Sequence, residues 1–73
     1  MNKFTITVAS LPDRENLVAE IYFQTFQFAE ISQEAKEFII QFYPHPEKAF
    51  WEFDLSEIQE VIEKAKKRLI EVG

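Results

Sequence analysis

Glu20, Glu30 and His45 are the side chains of this sequence whose types and spacing invite a chemical reading. Two carboxylates on one surface serve as general acid and base, or grip a hard cation, provided a cleft drives their proton affinities apart. Alternating polarity on either side of a turn predicts that Glu20 and Glu30 share the outer face of a sheet. A sheet built from so short a chain offers no such cleft. The plainer reading is a solvated pair, or one that meets a basic residue of a partner. His45 stands between Pro44 and Pro46 and reads as an exposed loop histidine, with a general base as the sharper alternative. A small enzyme or metal-dependent protein using Glu20, Glu30 and His45 is therefore the second reading of the chain. Other chemistry is excluded by composition. One glycine cannot build a phosphate-binding loop. The absence of cysteine removes disulfides and thiolate zinc sites, and a lone histidine makes no His-rich site. There is no nucleophile elbow and no supported Ser/His/Asp set. Catalytic residues, a metal and a cofactor are all predicted to be none.

The leading reading is a binding surface. Val18, Tyr22, Phe28, Ile39 and Tyr43 are expected on the same outer face as Glu20 and Glu30, so these residues form the candidate partner-binding set. Four strands of about seven residues give roughly 400 Å² of sheet face, half of it apolar. That is the size at which an exposed patch signals an interface, and tyrosine and phenylalanine are favoured anchors there. The competing expectation is that Trp51 and residues 44–53 fold over this face and close it. Base stacking on the aromatics is disfavoured, because glutamates stand where RNA binding needs arginine or lysine.

Positioning such a face requires an antiparallel sheet. Lys3 to Ala9 alternates Phe4, Ile6 and Val8 with Thr5 and Thr7, the period of a half-buried strand. In residues 17–33 Val18, Tyr22, Phe26 and Ala29 also fall at helical spacing, but dense aromatic and β-branched residues and the lack of a helix cap favour two strands around a loop at Thr25-Phe26-Gln27. Leu17, Ala19, Ile21, Phe23, Ala29 and Ile31 then face inward, and Val18, Glu20, Tyr22, Phe28, Glu30 and Ser32 outward. A fourth strand over Glu37 to Tyr43 turns Phe38, Ile40 and Phe42 inward and ends at Pro44. Glu34-Ala35 is the expected turn before it, although Glu-Ala suits a two-residue turn poorly. The 50–53 alternation allows a further short strand. Asp54 and Glu57 then make a capping box, with Phe53 and Ile58 as its hydrophobic staple. Leu55, Ile58, Val61, Ile62, Ala65 and Leu69 form the apolar stripe of an amphipathic helix. Glu60/Lys64 and Glu63/Lys67 are i,i+4 pairs, and Lys66, Lys67 and Arg68 are placed to complement the helix dipole. The predicted fold is α+β: a four-stranded antiparallel β-meander with one C-terminal amphipathic helix packed on one face, as a single domain over residues 1–73.

Composition narrows the partners. The chain is 73 residues long, 47% hydrophobic and 29% charged, with eight phenylalanines. A domain of this size buries about 60% of its unfolded surface, so large rings, or self-association, must supply stability. The net charge of −5 argues against nucleic acid and against an anionic membrane surface. No apolar run approaches a transmembrane length, and Met1-Asn2-Lys3-Phe4 lacks a signal-peptide core, so a cytoplasmic location is expected. The partner is predicted to be a protein or a second copy in a homodimer.

The stretch Val18-Ala19-Glu20-Ile21-Tyr22 through Ala29-Glu30-Ile31-Ser32, Phe42-Tyr43-Pro44-His45-Pro46 and Trp51-Glu52-Phe53-Asp54-Leu55 to Ala65-Lys66-Lys67-Arg68-Leu69 resembles small bacterial ββββα proteins with no established activity. The resemblance implies a bacterial origin and no mechanism.

Overall fold

The N-terminal alternation delivers the first strand of an antiparallel meander. The computed structural model describes residues 3–72. It contains β1 (Phe4–Ala9), β2 (Val18–Phe23), β3 (Phe26–Ser32), β4 (Ile39–Phe42) and α1 (Leu55–Val72), with the strands in the order β1-β2-β3-β4. The predicted fold class is therefore observed. Residues 10–17 and 33–38 connect strands at one end of the sheet. The 24–25 turn and the 44–53 segment lie at the other, where α1 begins.

Ala19, Ile21, Phe28, Ala29, Ile31, Val61, Ala65 and Leu69 form the buried core, with Phe4, Ile6, Val8, Leu17, Phe23, Phe38, Ile40, Trp51, Phe53, Ile58 and Ile62 packed around it. Phe4, Ile6 and Val8 point to this side as the alternation requires. The helix lies chiefly over β1 and β2; of the inward residues of β4, Ile40 packs against the core and Phe42 lies at its margin. Phe42, expected beneath the helix, is accordingly 60% exposed, and Leu55 is exposed at the helix start.

The β2–β3 connection is tighter than the expected 25–27 loop. Phe23 pairs with Phe26, so only Gln24 and Thr25 turn the chain. Gln24 adopts φ 57°, the left-handed conformation that a two-residue hairpin needs and that glycine or asparagine usually supplies. Its N–H donates to the Lys3 carbonyl at 2.7 Å, which holds the strained residue in place. Further along, Ile21 pairs with Ala29 but Tyr22 pairs with Gln27. Phe28 is the extra residue of a β-bulge. Such a bulge interrupts strict alternation, and both Phe28 and Ala29 end up in the core.

Half of the predicted capping box forms; among the described residues the Glu57 carboxylate does not return a bond to the Asp54 N–H. Asp54 Oδ2 accepts the Glu57 N–H at 3.0 Å, an interaction worth about 1 kcal/mol. Residues 50–53 are irregular rather than a strand, and the 33–38 connection is longer than a two-residue turn. The helix continues to Val72, leaving no basic residue in its last turn. Lys66 instead lies 5.3 Å over the Phe38 ring, and Arg68 Nη1 donates to the Ile6 carbonyl at 3.2 Å. Neither Glu60/Lys64 nor Glu63/Lys67 closes to ion-pair distance; among the described residues, Arg14–Glu30 is the pair that does.

Replacing Gln24 by glycine removes the steric cost of its positive φ. The Gln24→Gly protein should be more stable by roughly 0.5–1 kcal/mol, seen as a higher urea midpoint at unchanged slope. An unchanged or lower midpoint would show that this turn carries no strain.

Candidate functional site

The face opposite the helix is built from alternate residues of all four strands. Thr5 and Thr7 of β1 are exposed there. Thr5 pairs with Tyr22 and Thr7 with Glu20. Glu20 in turn pairs directly with Glu30, and Glu30 with Gln41. Two carboxylates facing each other across adjacent strands repel, so their neighbours must offset the repulsion.

They do so with one cation and two phenols. Glu30 is only 2% exposed. Its Oε2 accepts the Arg14 Nη2–H at 2.7 Å, and its Oε1 accepts the Tyr43 O–H, also at 2.7 Å. The same Arg14 nitrogen lies 3.5 Å from Gln41 Oε1. Among the described residues, no cation lies within ion-pair distance of Glu20. Its Oε1 accepts the Tyr22 O–H at 3.2 Å. The Tyr43 phenol is pushed up to about 12, chiefly by its hydrogen bond to Glu30, then by burial and the Glu30 charge. The Tyr22 phenol is raised by burial first and by the adjacent Glu20 second.

Arg14 is placed by its loop. The Arg14 N–H donates to the Leu11 carbonyl at 3.2 Å, a turn around Pro12-Asp13. Glu34 then ties the two connections at this end together. Its carboxylate accepts the Glu15 N–H at 3.0 Å and the Asn16 N–H at 3.1 Å, while Asn16 Nδ2 donates to the Gln33 carbonyl at 2.8 Å.

The expected surface set divides accordingly. Glu20, Tyr22, Ile39 and Tyr43 occupy the outer face; Glu30 lies on it too but is buried beneath Arg14 and Tyr43, and so is not the accessible contact expected. Phe28 is not on this face: it is fully buried on the helix side, because the bulge breaks the alternation on which its placement rested. Val18 is also fully buried and is therefore not an accessible contact. The closing of this face by residues 44–53 does not occur either. Trp51 and Phe53 turn to the helix side, with ring centroids 5.7 and 4.7 Å from Phe28, and Trp51 Nε1 donates to the Tyr43 carbonyl at 2.9 Å.

His45 belongs to that aromatic end. Its ring lies 4.2 Å from Trp51 and 5.7 Å from Phe26. Its Nδ1 accepts the backbone N–H groups of Glu47 and Lys48 at 3.0 and 3.1 Å. This histidine shapes a turn, and it lines a cleft of about 280 Å³ with Phe26, Phe50 and Trp51, to which Glu20 and Glu30 do not contribute. Among the described residues, no three His, Asp or Glu side chains converge as a metal site.

Arg14 and Gln41 are the members of the network that sequence reading missed. The signal for Arg14 was available: a glutamate inside a mostly apolar strand needs a cation if it is buried. Arg14 and Arg68 are the only arginines, and arginine is the residue suited to such pairs.

No family model, no curated protein and no solved structure matches the chain. Among the described residues, no helix is long and apolar enough to cross a membrane.

Removing one partner of a buried ion pair leaves the other uncompensated, at a cost of about 3–5 kcal/mol. The partly exposed guanidinium places Arg14→Ala just below that range, with a loss of roughly 2–3 kcal/mol. Adding Glu30→Gln should restore much of that loss in a thermal or urea melt. A single-variant loss below about 0.5 kcal/mol would assign the pair to the weak surface class.

The Tyr43 shift makes a separate claim. Its value is raised in the fold, so its stabilising contribution is complete below the ordinary phenol value of 10.0 and is lost as pH climbs towards about 12. Phenolate absorbance should resolve one tyrosine titrating near that limit, and Glu30→Gln should move it down. A late titration that persists in Glu30→Gln would contradict the assigned cause.

Proposed function

We propose that this domain is a non-enzymatic, cytoplasmic protein-interaction module whose outer sheet face receives a basic side chain of a partner protein. The observation that carries this reading is the unequal treatment of the two facing carboxylates. Glu30 holds the Arg14 guanidinium, whereas Glu20 accepts only a phenol. The face thus pairs a guanidinium with one carboxylate and, among the described residues, leaves the more exposed carboxylate beside it with no cation. Tyr22 fixes the orientation of Glu20 and offers the amphipathic ring that interfaces favour. Charge-assisted hydrogen bonds to an oriented carboxylate are about twice as strong as neutral ones, so one arginine or lysine would anchor a contact here. The net charge of −5 adds attraction for a basic partner at long range.

The probe is a blocked tripeptide with one central arginine, titrated into isotopically labelled protein. Backbone shifts should change around Glu20, Tyr22 and Thr7, diminish in about 0.5 M salt, where screening falls to a few ångströms, and vanish in Glu20→Gln. Shifts spread over the glutamates of α1, or unchanged in Glu20→Gln, would show that the peptide senses only overall charge.

A further inference from the structure

The two edges of the sheet are treated differently. On β1, the Gln24 N–H bonds the Lys3 carbonyl. The antiparallel register then gives Thr5 and Thr7 to β2 and leaves the backbone groups of Phe4, Ile6 and Val8 on the outer edge. Arg68 occupies the Ile6 carbonyl, so a side chain covers the middle of this edge.

Among the described residues, no side chain hydrogen-bonds the outer edge of β4. The Tyr43 N–H bonds the Phe28 carbonyl at 2.9 Å, so Ile39, Gln41 and Tyr43 turn their backbone groups to β3, and Ile40 and Phe42 turn theirs outward. The sequence Ile39-Ile40-Gln41-Phe42 has no charge, proline or bulge, the devices by which edge strands resist pairing. Ile39 is 55% and Phe42 60% exposed, one on each face of the same short strand.

We propose that β4 pairs antiparallel with β4 of a second copy of this chain, on a two-fold axis through Gln41. The occupant follows from self-complementarity. In this register Ile40 lies opposite Phe42 of the second copy, and the reciprocal pair repeats the contact. The outward N–H and C=O groups of both residues are satisfied in both chains. Side chains opposite each other share a face, so Ile40 meets Phe42 on the helix side and Ile39 meets Tyr43 on the outer side. Each exposed apolar residue of the strand thereby gains an apolar or aromatic neighbour, and no like charges oppose one another despite the acidic chain. Pro44 would be the next outward residue, and it has no N–H, so the ladder ends there. The product is a continuous sheet of twice the strands with both helices on one side. The interface is small, below roughly 1,200 Å² in total, and its population depends on concentration. This pairing is independent of the contact assigned to Glu20.

The absence of native cysteine makes the register testable by cross-linking. Gln41 and its symmetry mate form a non-hydrogen-bonded pair with Cα atoms about 4.5 Å apart, within the range a disulfide spans. Gln41→Cys should oxidise readily to a species of twice the 8.7 kDa chain mass, and Thr7→Cys on β1 should not. In sedimentation equilibrium up to about 1 mM, where weak interfaces are populated, the unmodified chain should shift towards the doubled mass. Phe42→Lys, with unchanged circular dichroism, should reduce that association at least tenfold. A single monomeric species throughout, with no disulfide dimer from Gln41→Cys, would overturn the proposal. So would a disulfide dimer from Thr7→Cys in its place, or an association that Phe42→Lys leaves undiminished.

Discussion

An extra residue in β3 governs how this small chain builds both of its faces. Because Phe28 has no partner in β2, it joins Ala29 on the helix side instead of emerging on the other. It is the largest fully buried side chain, worth about 2–3 kcal/mol of apolar burial. Phe4, Trp51 and Phe53 gather around it at centroid distances of 5.9, 5.7 and 4.7 Å. These contacts fix the otherwise irregular 44–53 segment, and the segment in turn delivers Asp54 to the start of α1. A chain without disulfides and with a thin core thus secures its long connection through rings. The tightest cluster sits where the hairpin turn, the segment and the helix N-terminus converge.

The same bulge leaves the outer face to polar chemistry. With Phe28 withdrawn, that face carries Glu20, Tyr22, Glu30, Gln41 and Tyr43 at its centre. Burying Glu30 is unfavourable unless its oxygens are satisfied, and Arg14 and Tyr43 satisfy one each. The guanidinium also ties the first long loop to the sheet, and Glu34 extends that tie to the second loop. Stability and surface character therefore come from one network. Arg14 neutralises one carboxylate, and the negative charge that remains is concentrated at Glu20.

Much of this was legible in the sequence because strand alternation and helix capping are local. The four strands, the inward set Phe4, Ile6, Val8, Ala19, Ile21 and Ile31, and the Asp54 cap all follow from side-chain periods and short-range hydrogen bonds. What escaped was non-local or depended on one residue of register. The Gln24-Thr25 turn lacks glycine and asparagine, so nothing in it announced a two-residue hairpin. The bulge leaves no composition mark, and it alone moved Phe28 from the outer set to the core. Val18 sits in the outward phase yet is buried, which alternation cannot reveal. The role of Arg14 is set by a contact sixteen residues away in sequence, and the helix-side place of Trp51 goes with its contact to Phe28.

The uneven cover of the sheet has the same origin. The helix enters from the aromatic cluster and runs chiefly over β1 and β2, so Arg68 can bond the β1 edge. Arg68 and Lys66 engage the Ile6 carbonyl and the Phe38 ring, and among the described residues no side chain of α1 hydrogen-bonds the β4 edge. A two-fold axis normal to the sheet at that edge would set the two Glu20 carboxylates on one continuous surface. Two weak sites held rigidly on one side reinforce each other through effective concentration. An acidic chain too small to present a large interface alone would then offer a doubled one, with the polar network supplying the contacts and the bare edge supplying the spacing.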